Sequence, residues 1–438
     1  MLFHLKDVVP RTKPGNMSLV AWPLDPQANI SIIVKCWVLA SEDSKTTLFA
    51  ETNMIKPPLL AAASSSAGSS DQQGDGFTTA DDWFAGGRRV RYDPNRKRIV
   101  EVSKQAPSTI GVFERVYLPV LPREQTKWAT FLPGFPDGSY GYHKVEQKLR
   151  TEMTPRLYIE YVGQGDSDNP RRYTHSTIDR ADLVEAQWIS HNVRRTVVVT
   201  FDYSSLVMLE LMQRQKERSA MGIRFPRIEH VLVINGGLFV DGHSHPFVTT
   251  PLVKTRFGKM GSSMAQHSNF VLDKMILPLY SKEYQATKLS RQELRETEKA
   301  IRRNKGASFL SNAAGFVDEH KQNAKRWDLR NVYVDFCKDQ GITFHIVVSA
   351  KDQFEKYRIE LARERLADYY PGVKIENIPG GHLSMVEQTD QIVEFVHVLV
   401  RVGSTNTEPT TSWTKRSSTE VSPLVAPTFI PPSLSSVG

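Results

Sequence analysis

Short runs of β-branched and aromatic residues recur through the middle and late chain, at residues 128–132, 157–161, 196–200, 230–234, 343–348 and 373–378. Each is apolar without strict alternation and is bounded by turn or helix-start residues. That is the pattern of a strand covered on both faces. Three earlier runs, 89–92, 98–102 and 113–118, read as hairpin strands. Helical spacing fills the gaps. Leu206, Leu209 and Met212 give residues 205–218 one apolar face, and Ser290-Arg291-Gln292-Glu293 has the capping-box pattern at the head of a helix reaching Arg303. The alternation predicts an α/β fold: a mostly parallel central sheet with helices on both faces. Residues 235–340 carry helical patterning and no clear strand, which predicts a helical lid inserted over the carboxyl ends of the sheet.

The flanks differ in composition. Residues 1–60 are an extension with a strand-like run at 30–39, and 61–80 read as a flexible Ala/Ser/Gly-rich linker. Residues 81–234 and 341–402 form the two parts of the core around the lid, and the Ser/Thr/Pro-rich stretch 403–438 is expected to be a disordered tail. A chain of 438 residues with 40% hydrophobic and 24% charged residues excludes collagen-like, coiled-coil and wholly disordered classes.

No apolar run approaches the roughly 20 residues of a membrane span, and residues 1–14 lack the apolar core of a secretory signal, so an intracellular, cytoplasmic location is expected. Two cysteines, Cys36 and Cys337, outside any CxxC pair, supply neither a disulfide framework nor a structural zinc site. No metal is expected. The net charge of +8 is spread over short clusters (Arg88-Arg89, Arg171-Arg172, Arg194-Arg195, Arg302-Arg303-Asn304-Lys305) separated by acidic residues, so solvated faces are expected and nucleic acid is not. Gly163-Gln164-Gly165 fails as a dinucleotide fingerprint because Asp168 stands where the third glycine is required. It reads as a tight turn, and no cofactor is expected.

Several motifs, taken in order, carry a family resemblance. Leu132-Pro133-Gly134-Phe135-Pro136 resembles the HGFP oxyanion segment of α/β-hydrolases, with Pro133 in place of the histidine. The stretch from Gly163 to Asp168 is similar to the G-x-G-x-S-D loop of the epoxide hydrolase and haloalkane dehalogenase branch. Phe201-Asp202-Tyr203-Ser204 resembles that branch's H-D-Y-G element, and Gly381-His382 with Glu387 resembles its G-H-x-x-x-x-E segment. Ile234-Asn235-Gly236-Gly237-Leu238-Phe239, with Arg326-Trp327, looks most like the mesoderm-specific transcript group of epoxide-hydrolase-like proteins. The resemblance covers about residues 128–400.

The resemblance implies roles. In isolation Asp202 reads as a helix N-cap. Within this fold the small-x-nucleophile-x-small turn puts it at the centre, between Thr200 and Ser204, whereas Ser204 is flanked by Asp202 and Leu206, and Ser205 by Tyr203 and Val207. Asp202 is then the nucleophile, Asp352 the acid and His382 the base, with backbone N–H groups of Phe135 and Tyr203 as the oxyanion hole. Tyr280 and Tyr284, at i, i+4 in the lid, are candidate donors to an epoxide oxygen. Tyr203 and Phe135 stand where dehalogenases hold Trp and Asn, which favours epoxide hydrolysis. The stripe Leu272, Met275, Ile276 and Leu279, ended by Pro278, predicts an apolar pocket above Asp202 and an apolar small-molecule substrate. Two alternatives stay open. One is a catalytically impaired binding or scaffold protein, because Pro133, Phe201 and the missing elbow glycines depart from the pattern; the other is a serine esterase using Ser204 or Ser205.

Overall fold

The computed structural model describes residues 17–21, 31–39, 47–55, 78–100, 108–119, 126–136, 138–170, 173–223, 225–242, 268–303, 309–330, 335–354, 358–367 and 373–402. The expected linker up to residue 77 and the expected tail 403–438 lie outside them. The chain divides into two compact units, Met1–Gly76 and Phe77–Gly438.

In the first unit β1 (Met17–Ala21), β2 (Ser31–Leu39) and β3 (Thr47–Ile55) form an antiparallel meander. The run at 30–39 thus finds two partners, Val34 standing opposite Leu19 on one side and Thr52 on the other.

The second unit opens on helix α1 (Ala80–Ala85), where Thr79 and Asp82 form a reciprocal capping box. Strands β4 (Arg88–Asp93), β5 (Arg98–Val100), β6 (Ile110–Tyr117), β7 (Lys127–Leu132), β8 (Arg156–Ile159), β9 (Arg195–Phe201), β10 (Arg227–Ile234), β11 (Thr343–Ser349) and β12 (Lys374–Ile378) form one sheet in the order β12-β11-β10-β9-β7-β8-β6-β4-β5. From β8 to β12 all neighbours are parallel, while β6, β4 and β5 add an antiparallel edge.

Helices cover both faces. These are α2 (His143–Leu149), α3 (Thr177–Ser190), α4 (Ser204–Ala220), and, after β10, α5 (Asn269–Ile276), α6 (Lys282–Thr287), α7 (Arg291–Arg302), α8 (Phe309–Gln322) and α9 (Asp335–Gln340). After β11 come α10 (Arg358–Ala362), α11 (Ser384–Glu387) and α12 (Thr389–Arg401). Between β10 and β11 the described residues contain helices and no strand. None of the described helices is long and apolar enough to cross a membrane.

The absence of strict alternation now has its cause. On β9, Val198 joins one core cluster with Leu206 and Leu209 of α4 and Val184 of α3, while Val197, Val199 and Phe201 join another with Leu149 of α2 and Val396 of α12. Both faces are dry, so each residue of the strand gains from being apolar, by about 1.5–3 kcal/mol for a fully buried side chain. Two local features differ from the sequence pattern. Ser290 caps α7 by accepting from Glu293 N, but the Glu293 carboxylate turns to Lys144 and Tyr284 (2.7 and 2.9 Å), so only half of the box forms. Helix α5 ends at Ile276 and gives way to a 3-10 turn, Leu277–Leu279, since Pro278 cannot donate to the helical ladder.

Register sets the site. Phe201 stands opposite Ile234, and Ile234 opposite Val347. Beyond the last pairs Asp202 N donates to Ile234 O (3.0 Å) and Asn235 N to Val347 O (3.0 Å). The residues after β9, β10 and β11 therefore emerge side by side at the carboxyl edge of the sheet, where open α/β sheets hold their ligands.

Candidate active site

Asp202 turns the chain from β9 into α4 with φ of 54°, the left-handed region that a non-glycine residue rarely occupies. It is not the cap of that helix. Tyr203 holds the N-cap position and no side chain caps it, so the Asp202 carboxylate is directed elsewhere. One oxygen accepts from Phe135 N (3.2 Å); the other lies 3.6 Å from His382 Nε2. On the far side of the imidazole, Nδ1 is 3.1 and 3.2 Å from the two oxygens of Asp352, which also accepts from Phe354 N (2.9 Å). The sequence-expected trio is thus brought together from the ends of β9, β11 and β12. Its exposure is graded: the Asp202 side chain is 18% exposed, His382 3% and Asp352 0%.

The electrostatics follow from this sandwich. Burial alone would push the His382 imidazole down, but the charges of Asp352 and Asp202 on either side, with the hydrogen bond to Asp352, overcome it and raise the group to about 10. The resting histidine carries its proton at neutral pH.

The supporting residues were not all visible in the sequence. Asn235 is buried with φ of 45°, and its side chain donates to His382 O (2.7 Å), Ser384 Oγ (3.0 Å) and Ser349 Oγ (3.1 Å) while accepting from Ser349 N (2.8 Å). It ties the end of β11 to the loop that carries His382. The available signal was an Asn directly after a strand and before Gly236-Gly237, a pattern suited to left-handed backbone. Gln164 Nε2 donates to Tyr203 Oη (2.8 Å) and Gly134 O (3.1 Å), joining the Gly163–Asp168 turn to the segment around Phe135. That segment is held from below by the buried Glu160, which accepts from Ser139 N (3.1 Å) and Ser139 Oγ (2.5 Å). Phe201 packs its ring 5.0 Å from that of His382.

The other expected residues fall in different places. Phe135 presents its N–H to Asp202, and Tyr203 follows Asp202 with its ring 6.3 Å from Phe135 and 6.1 Å from Phe316 of α8. Tyr280 and Tyr284 stack on each other (5.6 Å). The Tyr284 hydroxyl donates to Glu293 and accepts from Lys144 (2.7 Å), while that of Tyr280 lies 3.5 Å from Thr297 Oγ1, so both are drawn towards α7. Ser204 Oγ is buried and bonded to Pro133 O and Tyr161 Oη; Ser205 Oγ is buried with no hydrogen-bond partner among the described residues. In the stripe, Ile276 and Leu279 are buried in the cluster that holds Phe201 and Leu383, and Leu279 O accepts from Leu383 N (3.2 Å). The side chain of Leu272 lies outside the described residues. Among the described residues no group of three His, Cys, Asp or Glu side chains is placed to hold a metal ion.

No family model matches the chain. It is 26% identical over 240 residues to the mesoderm-specific transcript homolog protein of Homo sapiens, a match covering 54% of this chain and 68% of that protein. Among solved structures it is similar to a thermophilic esterase from Thermogutta terrifontis (TM-score 0.51, 14% identity, 72% of this chain and 98% of that one). It is similar also to the haloalkane dehalogenase DatA from Agrobacterium tumefaciens C58 (TM-score 0.50, 14% identity, 72% and 96%). Those identities speak to the fold alone. Together with the strand order and the parallel sheet, they show that the chain has the α/β-hydrolase fold.

Proposed function

We propose that this protein is a hydrolase that opens the strained ring of an apolar epoxide through a covalent ester on Asp202. The observation that carries the reading is the placement of that carboxylate. It stands on a left-handed strand-to-helix turn, partly open to solvent, with one oxygen facing a backbone N–H and the other facing a buried histidine backed by a second carboxylate. A carboxylate is a poor nucleophile towards amides but opens strained rings and displaces leaving groups at carbon.

The chemistry closes on these residues. An Asp202 oxygen attacks a ring carbon, the ring C–O bond breaks, and the ring oxygen takes up a proton, from the His382 imidazolium in the wild-type protein and from water where His382 is replaced. Esterification removes one of the two charges that hold the imidazole protonated, so the neutral form becomes accessible just when a base is needed. Neutral His382, held in one tautomer by Asp352, takes a proton from water as the water oxygen bonds to the ester carbon. The oxygen on the Phe135 side receives the developing charge, with the N–H groups of Phe135 and Tyr203 as its donors. Collapse breaks the ester C–O bond, His382 protonates the leaving diol, and the new carboxylic acid returns its proton to His382. The rings of Tyr203, Phe135 and Phe316 beside the carboxylate favour an apolar substrate. We read the helices between β10 and β11 as the lid.

The serine alternative is disfavoured by Ser204 and Ser205, whose hydroxyls are buried and bonded to or packed among other groups. The impaired-enzyme alternative has one observation in its favour: Phe201 occupies the elbow-histidine position against an imidazole that rests protonated. Incubation with styrene oxide and stilbene oxide separates the readings. The hydrolase releases diol, His382→Ala accumulates an adduct on Asp202 by intact mass, and Asp202→Ala gives neither. A folded protein with no adduct across epoxides, haloalkanes and aryl esters is the binding protein, and fluorophosphonate labelling of Ser204 or Ser205 identifies a serine esterase.

A further inference from the structure

Glu387 lies outside the trio, yet its carboxylate joins two parts of the molecule that a moving lid would separate. One oxygen accepts from Gly381 N (3.1 Å), the residue before His382, and from Ser281 N (2.9 Å); the other accepts from Ser281 Oγ (2.5 Å). Ser281 is the N-cap of α6 in the lid, its Oγ accepting from Tyr284 N (3.2 Å). Leu279 O accepts from Leu383 N (3.2 Å), so the same lid segment grips the histidine loop from both sides of His382. The fit leaves no slack. A Cβ on Gly381 would lie 2.5 Å from Ser281 N, 2.7 Å from Leu279 O and 2.8 Å from Glu387 Oε1. The acid loop is held likewise, Gln353 Nε2 donating to Pro278 O (3.1 Å) and Lys351 pairing with Glu283.

We infer that Glu387 is a positioning residue that makes the Leu279–Ser281 segment part of the support of His382, so that lid placement and histidine placement are one event. The physical reason is bond count. The histidine loop between β12 and α11 is short and carries Gly380 at φ of 113° and Gly381, residues that by themselves hold no side-chain contacts. Its backbone is fixed by donors and acceptors from outside: Leu279 O takes Leu383 N, and the buried Glu387 carboxylate takes Gly381 N while itself held by Ser281. When the lid segment lifts, Leu383 N loses Leu279 O and the Glu387 carboxylate loses both Ser281 donors that hold it against Gly381 N, and the imidazole loses its fixed reach to Asp202. Misplacement of about 1 Å in a reacting group is enough for a hundredfold loss of rate. The inference deepens the proposed hydrolase reading, in which His382 is the base, but its first readouts need no substrate.

The test uses the full chain with Glu387→Gln, and Ser281→Ala as a milder second variant that keeps the carboxylate. Amide hydrogen exchange at Ser281, Gly381 and Leu383 is expected to accelerate about tenfold or more in Glu387→Gln, as hydrogen bonds to a charged acceptor are lost. The NMR titration of His382 is expected to shift down from its raised midpoint as the imidazole moves off its carboxylates. If an epoxide is turned over, kcat falls about a hundredfold with KM little changed. Faster exchange at Ser281 alone, with Gly381, Leu383 and the His382 titration as in wild type, would overturn the inference and leave Glu387 as an ordinary lid contact. Absence of turnover in the wild-type protein would count against the hydrolase reading without touching this result.

Discussion

Phe201 lies against His382 with ring centroids 5.0 Å apart and planes at 46°, and the same ring fills the space that a Cβ on Gly134 would need. Phe201 is thus a buried wedge between His382 and the segment that presents Phe135 N to Asp202. It contributes no proton. It keeps water from one face of the imidazole, and so strengthens the interaction of His382 with its two carboxylates.

Phe201→Ala removes that wedge. Truncating a fully buried phenylalanine costs about 3–5 kcal/mol, so a large fall in midpoint is expected in chemical denaturation. The His382 titration should move towards the ordinary histidine range as water reaches the ring. A variant with unchanged stability would mean that the ring is not packed as described.

Raising the pH through the His382 transition should weaken the fold. The imidazole is raised from 6.5 to about 10 in the folded protein, so its stabilising contribution is complete below about pH 6.5 and is lost as pH climbs towards 10. Thermal melts between pH 6 and 10.5 should show wild type losing stability more steeply than His382→Asn. Parallel curves for the two proteins would refute the charged sandwich.

Asp202→Asn separates charge from geometry. Asparagine tolerates the left-handed backbone, so the turn should persist. The His382 titration should fall because one flanking charge is gone, and covalent labelling by an epoxide should vanish. Persistent labelling at full rate would move the nucleophile elsewhere.

Glu146→Ala tests the scaffold beneath the site. Glu146 of α2 accepts from Arg156 Nε (2.8 Å), Arg156 Nη2 (3.1 Å) and Tyr158 Oη (2.5 Å), with the ion pair almost wholly out of solvent. Removing the carboxylate leaves a buried guanidinium without its partner, a loss of about 3–5 kcal/mol. Urea denaturation measures it, and a change within about 0.5 kcal/mol would show the pair to be dispensable.

The strands at 128–132, 196–200, 230–234 and 343–348 were legible because burial on both faces writes itself into consecutive apolar residues, a local signal. The places of Asp202, Asp352 and His382 just past strand ends were legible for a different reason, the order of the motifs that hold them. Glu387 was visible as a motif position, but its grip on Ser281 was not, since the two stand 106 residues apart and meet only through the fold. Tyr280 and Tyr284 show the limit from the other side. Their i, i+4 spacing said that they share a helix face, and it took Lys144, Glu293 and Thr297 to draw their hydroxyls towards α7.

By itself the sequence determined the sheet and its parallel half, because backbone propensity, burial and turn chemistry act over a few residues at a time. Tertiary structure alone decided that His382 lies between two carboxylates and keeps its proton, that Phe201 seals one side of it, and that Asn235 and Glu387 fix its loop. Charge, desolvation and hydrogen bonding act through space over a few ångströms, and which groups fall within that distance is set only when strands far apart in the chain come to lie side by side.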